Sequence, residues 1–130
     1  MAESMDEQRI EGVGTNAQGQ PVLMGAACGA CGTRIFPAAG VCPHCMSEAM
    51  ASEAMPRRGQ IYSFSIVHTG PRKWPRPMSV GYVDLDNGVR VFAQLRGQPR
   101  IGAQVELGID TVAQGADGPE QGFVFTVVEG

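Results

Sequence analysis

The sequence predicts an all-β protein built from two pieces in series. Three observations carry that prediction. The 130 residues include 18 glycines and 9 prolines, a composition that argues against long helices and for many turns. The only 4 cysteines fall in two steps, Cys28-Gly-Ala-Cys31 and Cys42-Pro-His-Cys45, a spacing that gathers four sulfurs on one metal ion. From Gly59 onward, apolar and polar residues alternate with a period of two, in short runs separated by turn residues. The first piece therefore reads as a four-cysteine zinc ribbon and the second as a barrel of short antiparallel strands.

Taken in order, residues 1–19 are polar and Gly-rich and are expected to form a flexible N-terminal arm, with a short helical turn near Met5–Ile10. Residues 20–46 form the ribbon. Gly32 follows Cys31, where a residue without Cβ lets the backbone curl and aim N–H groups at sulfur. Pro43 stiffens the second loop. Between the loops, Gly32–Pro37 is a short extended piece, with Phe36 placed to cover the metal. Residues 47–58 have a helix-prone composition, but their position after a ribbon predicts an extended connector.

Residues 59–130 make the barrel. Ile61–His68 alternates aromatic or apolar residues with small polar ones, the mark of a half-buried strand. Ser79–Asp86 and Val89–Leu95 flank Asn87-Gly88, a strong hairpin signal. A two-residue turn there sets Val83 opposite Phe92 and Tyr82 opposite Ala93. Gly81 inside a strand predicts a bend. Gln104–Leu107 is the fourth strand and Phe123–Val128 the fifth, with a loose loop, Ala113 to Gly122, between them. Five antiparallel strands in this order suit a Greek-key barrel of the OB type.

The cysteine chemistry points to a closed, structural zinc site. Four thiolates saturate the metal and leave no open position for a catalytic water. Iron in a rubredoxin-like site uses the same four sulfurs. A redox Cys-x-x-Cys fits less well, since neither loop sits in a βαβ pattern. A disulfide framework also fits poorly, because the chain begins Met-Ala-Glu-Ser-Met-Asp-Glu, acidic where a leader is basic. A cytoplasmic protein is expected. A ribbon this small buries little apolar surface, so the metal supplies much of its folding free energy. His44 lies inside the second loop and is expected to be exposed rather than a ligand.

The net charge of −3 and pI near 5.3 weigh against a polyanionic partner. No apolar run is long enough to span a bilayer. One loop stands out. Thr69–Met78 holds the only tryptophan, Trp74, together with Arg72, Lys73 and Arg76, and Pro71, Pro75 and Pro77 hold it extended. Such a loop can present Trp and Arg at low entropic cost to a phosphorylated cofactor, a nucleic acid or an acidic protein surface. The plain alternative is that Trp74 packs back on the barrel. Arg57 and Arg58 read as an ordinary solvated pair. No cysteine is left as a nucleophile, and His44 and His68 are too few and too separated for an acid–base constellation. Neither a Gly-x-Ser-x-Gly elbow nor a phosphate-binding Gly loop is present.

On Cys28–Gly32, Phe36-Pro37, Cys42-Pro-x-Cys45, Gly59 before Ile61–His68, and the Asp86–Gly88 turn, the chain resembles a family of small bacterial and archaeal proteins that join an N-terminal zinc ribbon to an OB-fold and are encoded beside thiolase-like enzymes. The resemblance spans residues 20–128. Two positions depart from the family pattern: Ala38 where a second proline is common, and Met46 where a glycine often follows the fourth cysteine. Both bear on loop shape rather than on metal binding.

The resemblance implies a non-catalytic accessory subunit. It holds one structural zinc per chain on Cys28, Cys31, Cys42 and Cys45, binds a thiolase or related acyl-CoA carbon–carbon lyase in a hetero-oligomer, and helps form the acyl-CoA or coenzyme A site. The loop Pro71–Met78 is then the interface, with Arg72, Lys73, Trp74 and Arg76 near phosphates or an acidic partner. Three rival readings stand beside it. One is a nucleic-acid-binding ribbon and OB module, with Tyr62, Phe64, Tyr82 and Phe92 as stacking surfaces, although at strand spacing these are expected in the core. The others are a rubredoxin-like electron carrier and a stand-alone acyl-CoA binder.

Overall fold

The computed structural model describes Ile10, residues 12–75 and residues 77–128. The helical turn expected near Met5–Ile10 lies, except for Ile10, outside the described residues. These contain nine strands and no helix: β1 (Val13–Thr15), β2 (Pro21–Cys28), β3 (Arg34–Ile35), β4 (Met50–Ala54), β5 (Arg58–Val67), β6 (Met78–Leu85), β7 (Arg90–Arg96), β8 (Gln104–Gly115) and β9 (Gly118–Val127).

In the ribbon, β2 pairs antiparallel with β1, β3 and β4. Strand β1 lies within the stretch expected as a flexible arm. Asn16 explains why the chain folds back there: its side-chain oxygen accepts from the backbone N–H groups of Gln18 and Gln20, both at 2.9 Å. Val13 then packs against the core. Strand β4 lies within the expected connector, residues 47–58. Its backbone runs beside β2 from Met24↔Ala54 to Cys28↔Met50, and this pairing overrides the helix-prone composition. Leu23 and Met55, at the barrel end of the ribbon, belong to the same buried cluster as the barrel interior.

The barrel closes in the order β5-β6-β7-β9-β8, with β7 and β9 parallel and every other pair antiparallel. Its interior is filled by Ile61, Val83, Leu85, Val91, Leu95, Val105, Leu107 and Phe125. At Gly81, a Cβ would lie 2.2 Å from the Ser63 carbonyl oxygen, so only glycine lets β5 and β6 come this close where the sheet bends. A bulge between Ile61 and Ser63 adds curvature at Tyr62.

Two expectations for the barrel are corrected. The hairpin turn spans Asp86, Asn87 and Gly88: the Leu85 N–H donates to the Val89 carbonyl and the Gly88 N–H to the Leu85 carbonyl, each at 2.8 Å. Gly88 takes φ +90°, the geometry of a turn with a one-residue bulge. The register becomes Val83↔Val91 and Tyr82↔Phe92, one residue from the predicted pairing. A one-residue slip exchanges the faces of a strand. The valines therefore point inward, while Tyr82 and Phe92 point out. The second correction concerns Ala113–Gly122, which is no loose loop. Strands β8 and β9 continue through it to Gly115↔Gly118, and only Ala116 and Asp117 form the turn. The Asp117-Gly118 step supplies the turn signal.

Candidate functional site

The metal centre is built from two copies of one local shape. In the first knuckle, the Cys28 N–H donates to the Thr33 carbonyl (2.8 Å), the Gly32 N–H to the Cys28 carbonyl (2.9 Å), and the Ala30 N–H to Cys28 Sγ (3.3 Å). In the second, the Cys42 N–H donates to the Ser47 carbonyl (2.8 Å), the Met46 N–H to the Cys42 carbonyl (2.9 Å), and the His44 N–H to Cys42 Sγ (3.4 Å). Gly32 sits at φ +81° and Met46, its counterpart, at φ +68°. The residue that follows the second cysteine of each knuckle must therefore enter the left-handed region, where glycine is at ease and methionine is not.

The four sulfurs lie within 4.8 Å of one another. Cys28 and Cys45 Sγ are 3.6 Å apart, and Cys31 and Cys42 Sγ are 3.7 Å apart. A tetrahedron with metal–sulfur bonds of about 2.3 Å has edges of about 3.8 Å, so the donor set fits a four-thiolate ion such as zinc. Backbone N–H donors at the Cys31 and Ala30 positions hold the Cys28 thiol down to about 6. Cys31 is lowered too, chiefly by its hydrogen bond with the Thr33 side chain. At Cys45 the Ser47 backbone pulls downward, but the neighbouring sulfurs and burial together push it up to about 12. A cation among the sulfurs removes that conflict by letting all four ionise. His44 is exposed, as expected. Phe36 does not cover the metal. Its ring meets Phe123 edge-on at 5.8 Å between centroids and joins the ribbon to the barrel instead.

A second feature lies on the outer face of the barrel, a cavity of about 660 Å³. The loop between β5 and β6 forms one wall with Pro71, Trp74 and Pro75. The far end of the β8–β9 hairpin forms another with Val112 and Phe123, and the floor carries Val80, Phe92 and Gln94. The loop is held against the hairpin by the Gln114 N–H, which donates to the Lys73 carbonyl at 2.7 Å. This is where an OB barrel presents its ligand face, between its first and last loops.

Of the residues singled out in the loop, Trp74 is half-buried and lines this cavity, so it both packs back and faces a void. Arg72 and Lys73 border a smaller adjoining cleft of about 140 Å³. Lys73 Nζ lies 3.4 Å from a Glu120 carboxylate oxygen and 5.2 Å from the centre of the Trp74 ring. Arg72 is exposed, and no carboxylate pairs with it among the described residues. Arg76 lies outside the described residues. Arg57 is no solvated residue: it donates to the Pro21 carbonyl (2.6 Å), the Leu107 carbonyl (3.1 Å) and Glu106 (3.0 Å), bridging ribbon and barrel.

Three aromatics expected in the core stand outside it: Tyr62 (52% exposed), Tyr82 (45%) and Phe92 (55%). Tyr82 and Phe92 meet edge-on at 5.1 Å, and the Arg90 guanidinium lies 3.5 Å from the Tyr62 ring centre. Phe92 carries this stripe to the cavity floor. Sequence reasoning missed Gln94, Val112 and Phe123 as cavity residues. The one signal for Gln94 was a polar residue inside the apolar run Val91–Leu95.

Comparison with known proteins finds a zinc ribbon followed by an OB-fold. Residues 16–51 match a family model described as the ChsH2 rubredoxin-like zinc ribbon domain, and residues 52–110 match the ChsH2 C-terminal OB-fold domain. The chain is 41% identical over 101 residues to benzoylsuccinyl-CoA thiolase subunit BbsA of Thauera aromatica, covering 75% of this chain and 70% of that one. It is 30% identical over 102 residues to a DUF35 domain-containing scaffold protein of Methanocaldococcus jannaschii, covering 73% and 72%. Among solved structures, a chain of the Ltp2-ChsH2(DUF35) aldolase superposes with a TM-score of 0.67 at 28% identity, covering 82% of this chain and 84% of that one.

Proposed function

Because the chain belongs to the ChsH2 family, in which a rubredoxin-like zinc ribbon precedes an OB-fold, we propose that it is a non-catalytic accessory subunit of a thiolase-type acyl-CoA enzyme. In this reading it holds one structural zinc on Cys28, Cys31, Cys42 and Cys45 and works in the cytoplasm, where thiols stay reduced. The observation that carries the proposal is that all 4 cysteines converge on one metal position. Thiolytic chemistry needs an activated thiol with a base beside it. Here every thiol is committed, and both histidines, His44 and His68, are exposed. The nucleophile and bases belong to the partner chain.

The relatives support that partner. One is named as a subunit of a benzoylsuccinyl-CoA thiolase, and the matched structure as an Ltp2-ChsH2(DUF35) aldolase. The surface around the β5–β6 loop is the proposed contact, with Trp74 and the Tyr82–Phe92 pair as anchors and Arg72 placed to meet coenzyme A phosphates or partner carboxylates. Arg76 joins this proposal by sequence position alone. Benzoylsuccinyl-CoA is the first substrate to assay.

Nucleic-acid binding is the second reading, favoured by the exposed Tyr62, Tyr82 and Phe92 on an OB face. The net charge of −3 weighs against it. Affinity purification of the tagged chain from its host, with metal analysis of the eluate, separates the readings. A thiolase-like protein co-eluting with one zinc per chain supports the accessory subunit. Nuclease-sensitive nucleic acid in the eluate favours the second reading. One iron in a red, redox-active protein returns the electron carrier.

A further inference from the structure

The outer-face cavity contains one polar group that packing alone does not explain. Gln94 is 8% exposed and is the only buried polar or charged residue among those described. It lines a cavity whose walls are otherwise largely apolar: Val67, Trp74, Val80, Phe92, Val112 and Phe123. The polar residues Thr69 and Gln121 also line it but are exposed.

The Gln94 amide is held at both ends. Its Oε1 accepts from Arg96 Nη1 at 3.0 Å, and its Nε2 donates to the Val112 carbonyl at 2.8 Å. Val112 is the residue at the β8 bulge, where the strand register shifts between Thr111 and Ala113, so its carbonyl is available to accept. Arg96 is itself fixed by Asp110 (3.1 Å) and the Thr111 carbonyl (2.9 Å). The amide is thus locked in rotamer and in O/N orientation, since only Nε2 can donate to a carbonyl and only Oε1 can accept from a guanidinium.

A primary amide carries two N–H donors. One is used on Val112, and Nε2 makes no second hydrogen bond among the described residues. A fixed donor in an apolar cavity discriminates for a ligand with an acceptor at the matching place, because leaving it unpaired costs more than pairing it gains in water. The volume lies within the range of small-molecule sites.

We propose that this cavity binds an apolar group bearing one carbonyl, and that the second Nε2–H of Gln94 reads that carbonyl. Trp74 and Phe92 also belong to the surface proposed above as the partner contact, so the assignment is tested on the full zinc-loaded chain alone, with the partner absent. Two probes of one shape are titrated, 4-phenylbutan-2-one and butylbenzene, which differ by one carbonyl. Binding is followed by NMR shifts of the cavity residues and the Trp74 indole.

The wild-type chain is expected to bind the ketone about 10-fold more tightly, the worth of one hydrogen bond. In Gln94→Met that preference disappears, while butylbenzene binds as before. A second readout needs no variant: the Gln94 Nε2–H resonances of the wild type move with the ketone and stay still with the hydrocarbon. The proposal is overturned if neither probe binds, if the wild type binds both equally, or if the side-chain resonances ignore the ketone. Loss of both probes together in Gln94→Met would mark the residue as scaffold only and overturn it as well.

Discussion

Met46→Gly should stabilise the zinc-loaded protein, although it removes a side chain. Met46 directly follows the second cysteine of its knuckle at φ +68°, held there by its N–H bond to the Cys42 carbonyl and by the Cys42 N–H bond to Ser47. Its counterpart in the first knuckle is already glycine, at φ +81°. An L-residue in the left-handed region costs about 1–2 kcal/mol. Glycine relieves that cost but loosens the unfolded chain, giving back about 0.5–1 kcal/mol. Little packing is lost, because Met46 is 72% exposed. The net gain is about 0.5–1 kcal/mol, a rise of about 2–5 °C in Tm for a chain of this size. Thermal melts followed by circular dichroism at fixed free zinc measure it. Met46→Ala is the control: it trims the side chain but keeps the strained φ, so it stays within about 0.5 kcal/mol of wild type. Gly32→Ala, the mirror change, destabilises by about 1 kcal/mol or more. Equal gains in Met46→Gly and Met46→Ala, or a loss in Met46→Gly, would refute the backbone argument.

Other consequences follow from the same geometry. Cys42→Ser breaks the four-sulfur set; bound zinc measured by elemental analysis should fall from one per chain toward zero, and hydrogen exchange should accelerate across residues 28–49 before it does in the barrel. Arg57→Met removes the link between the Pro21 and Leu107 carbonyls and should cost about 2 kcal/mol in urea unfolding, whereas Arg58→Met, on the exposed side of Glu106, should cost no more than about 0.5 kcal/mol. Asp84 is held below its ordinary range by the hydrogen bond from Arg90, and Asp110 by the Thr111 N–H and then Arg96. Between their folded values and the unfolded value near 4, the unfolded chain binds more protons. Their contribution is therefore complete from about pH 5, one unit above the unfolded value, and is lost as the pH falls through the folded values. The Tm difference between wild type and Asp84→Asn should shrink as the pH drops below about 4 and stay level above about 5.

Legibility tracked the range of the interaction. The metal ligands could be read because a Cys-x-x-Cys loop is closed by contacts no more than five residues apart, such as Cys28 to Thr33 and Cys42 to Ser47. The barrel strands could be read from their alternation, and the hairpin from Asn87-Gly88. Its register could not, because Asp86 joined the turn and moved every partner by one. That single residue sent Tyr82 and Phe92 outward and created the aromatic stripe. The loop Thr69–Met78 was conspicuous in composition, but its role as a cavity wall depends on the β8–β9 hairpin running on to Gly118 and catching the Lys73 carbonyl.

Residue identity and short spacing were enough for the clustering of the four cysteines and for the order of ribbon and barrel. Three contacts came from the folded chain alone: Phe36 packs on Phe123 rather than over the metal, Arg57 bridges ribbon and barrel, and Gln94 lies fixed in an apolar cavity. They join residues far apart in the chain, with separations of 18 for Gln94–Val112, 36 for Arg57–Pro21 and 87 for Phe36–Phe123. A side chain's partner at such distances is set by strand register and by which element closes over it, and neither is written in the local pattern.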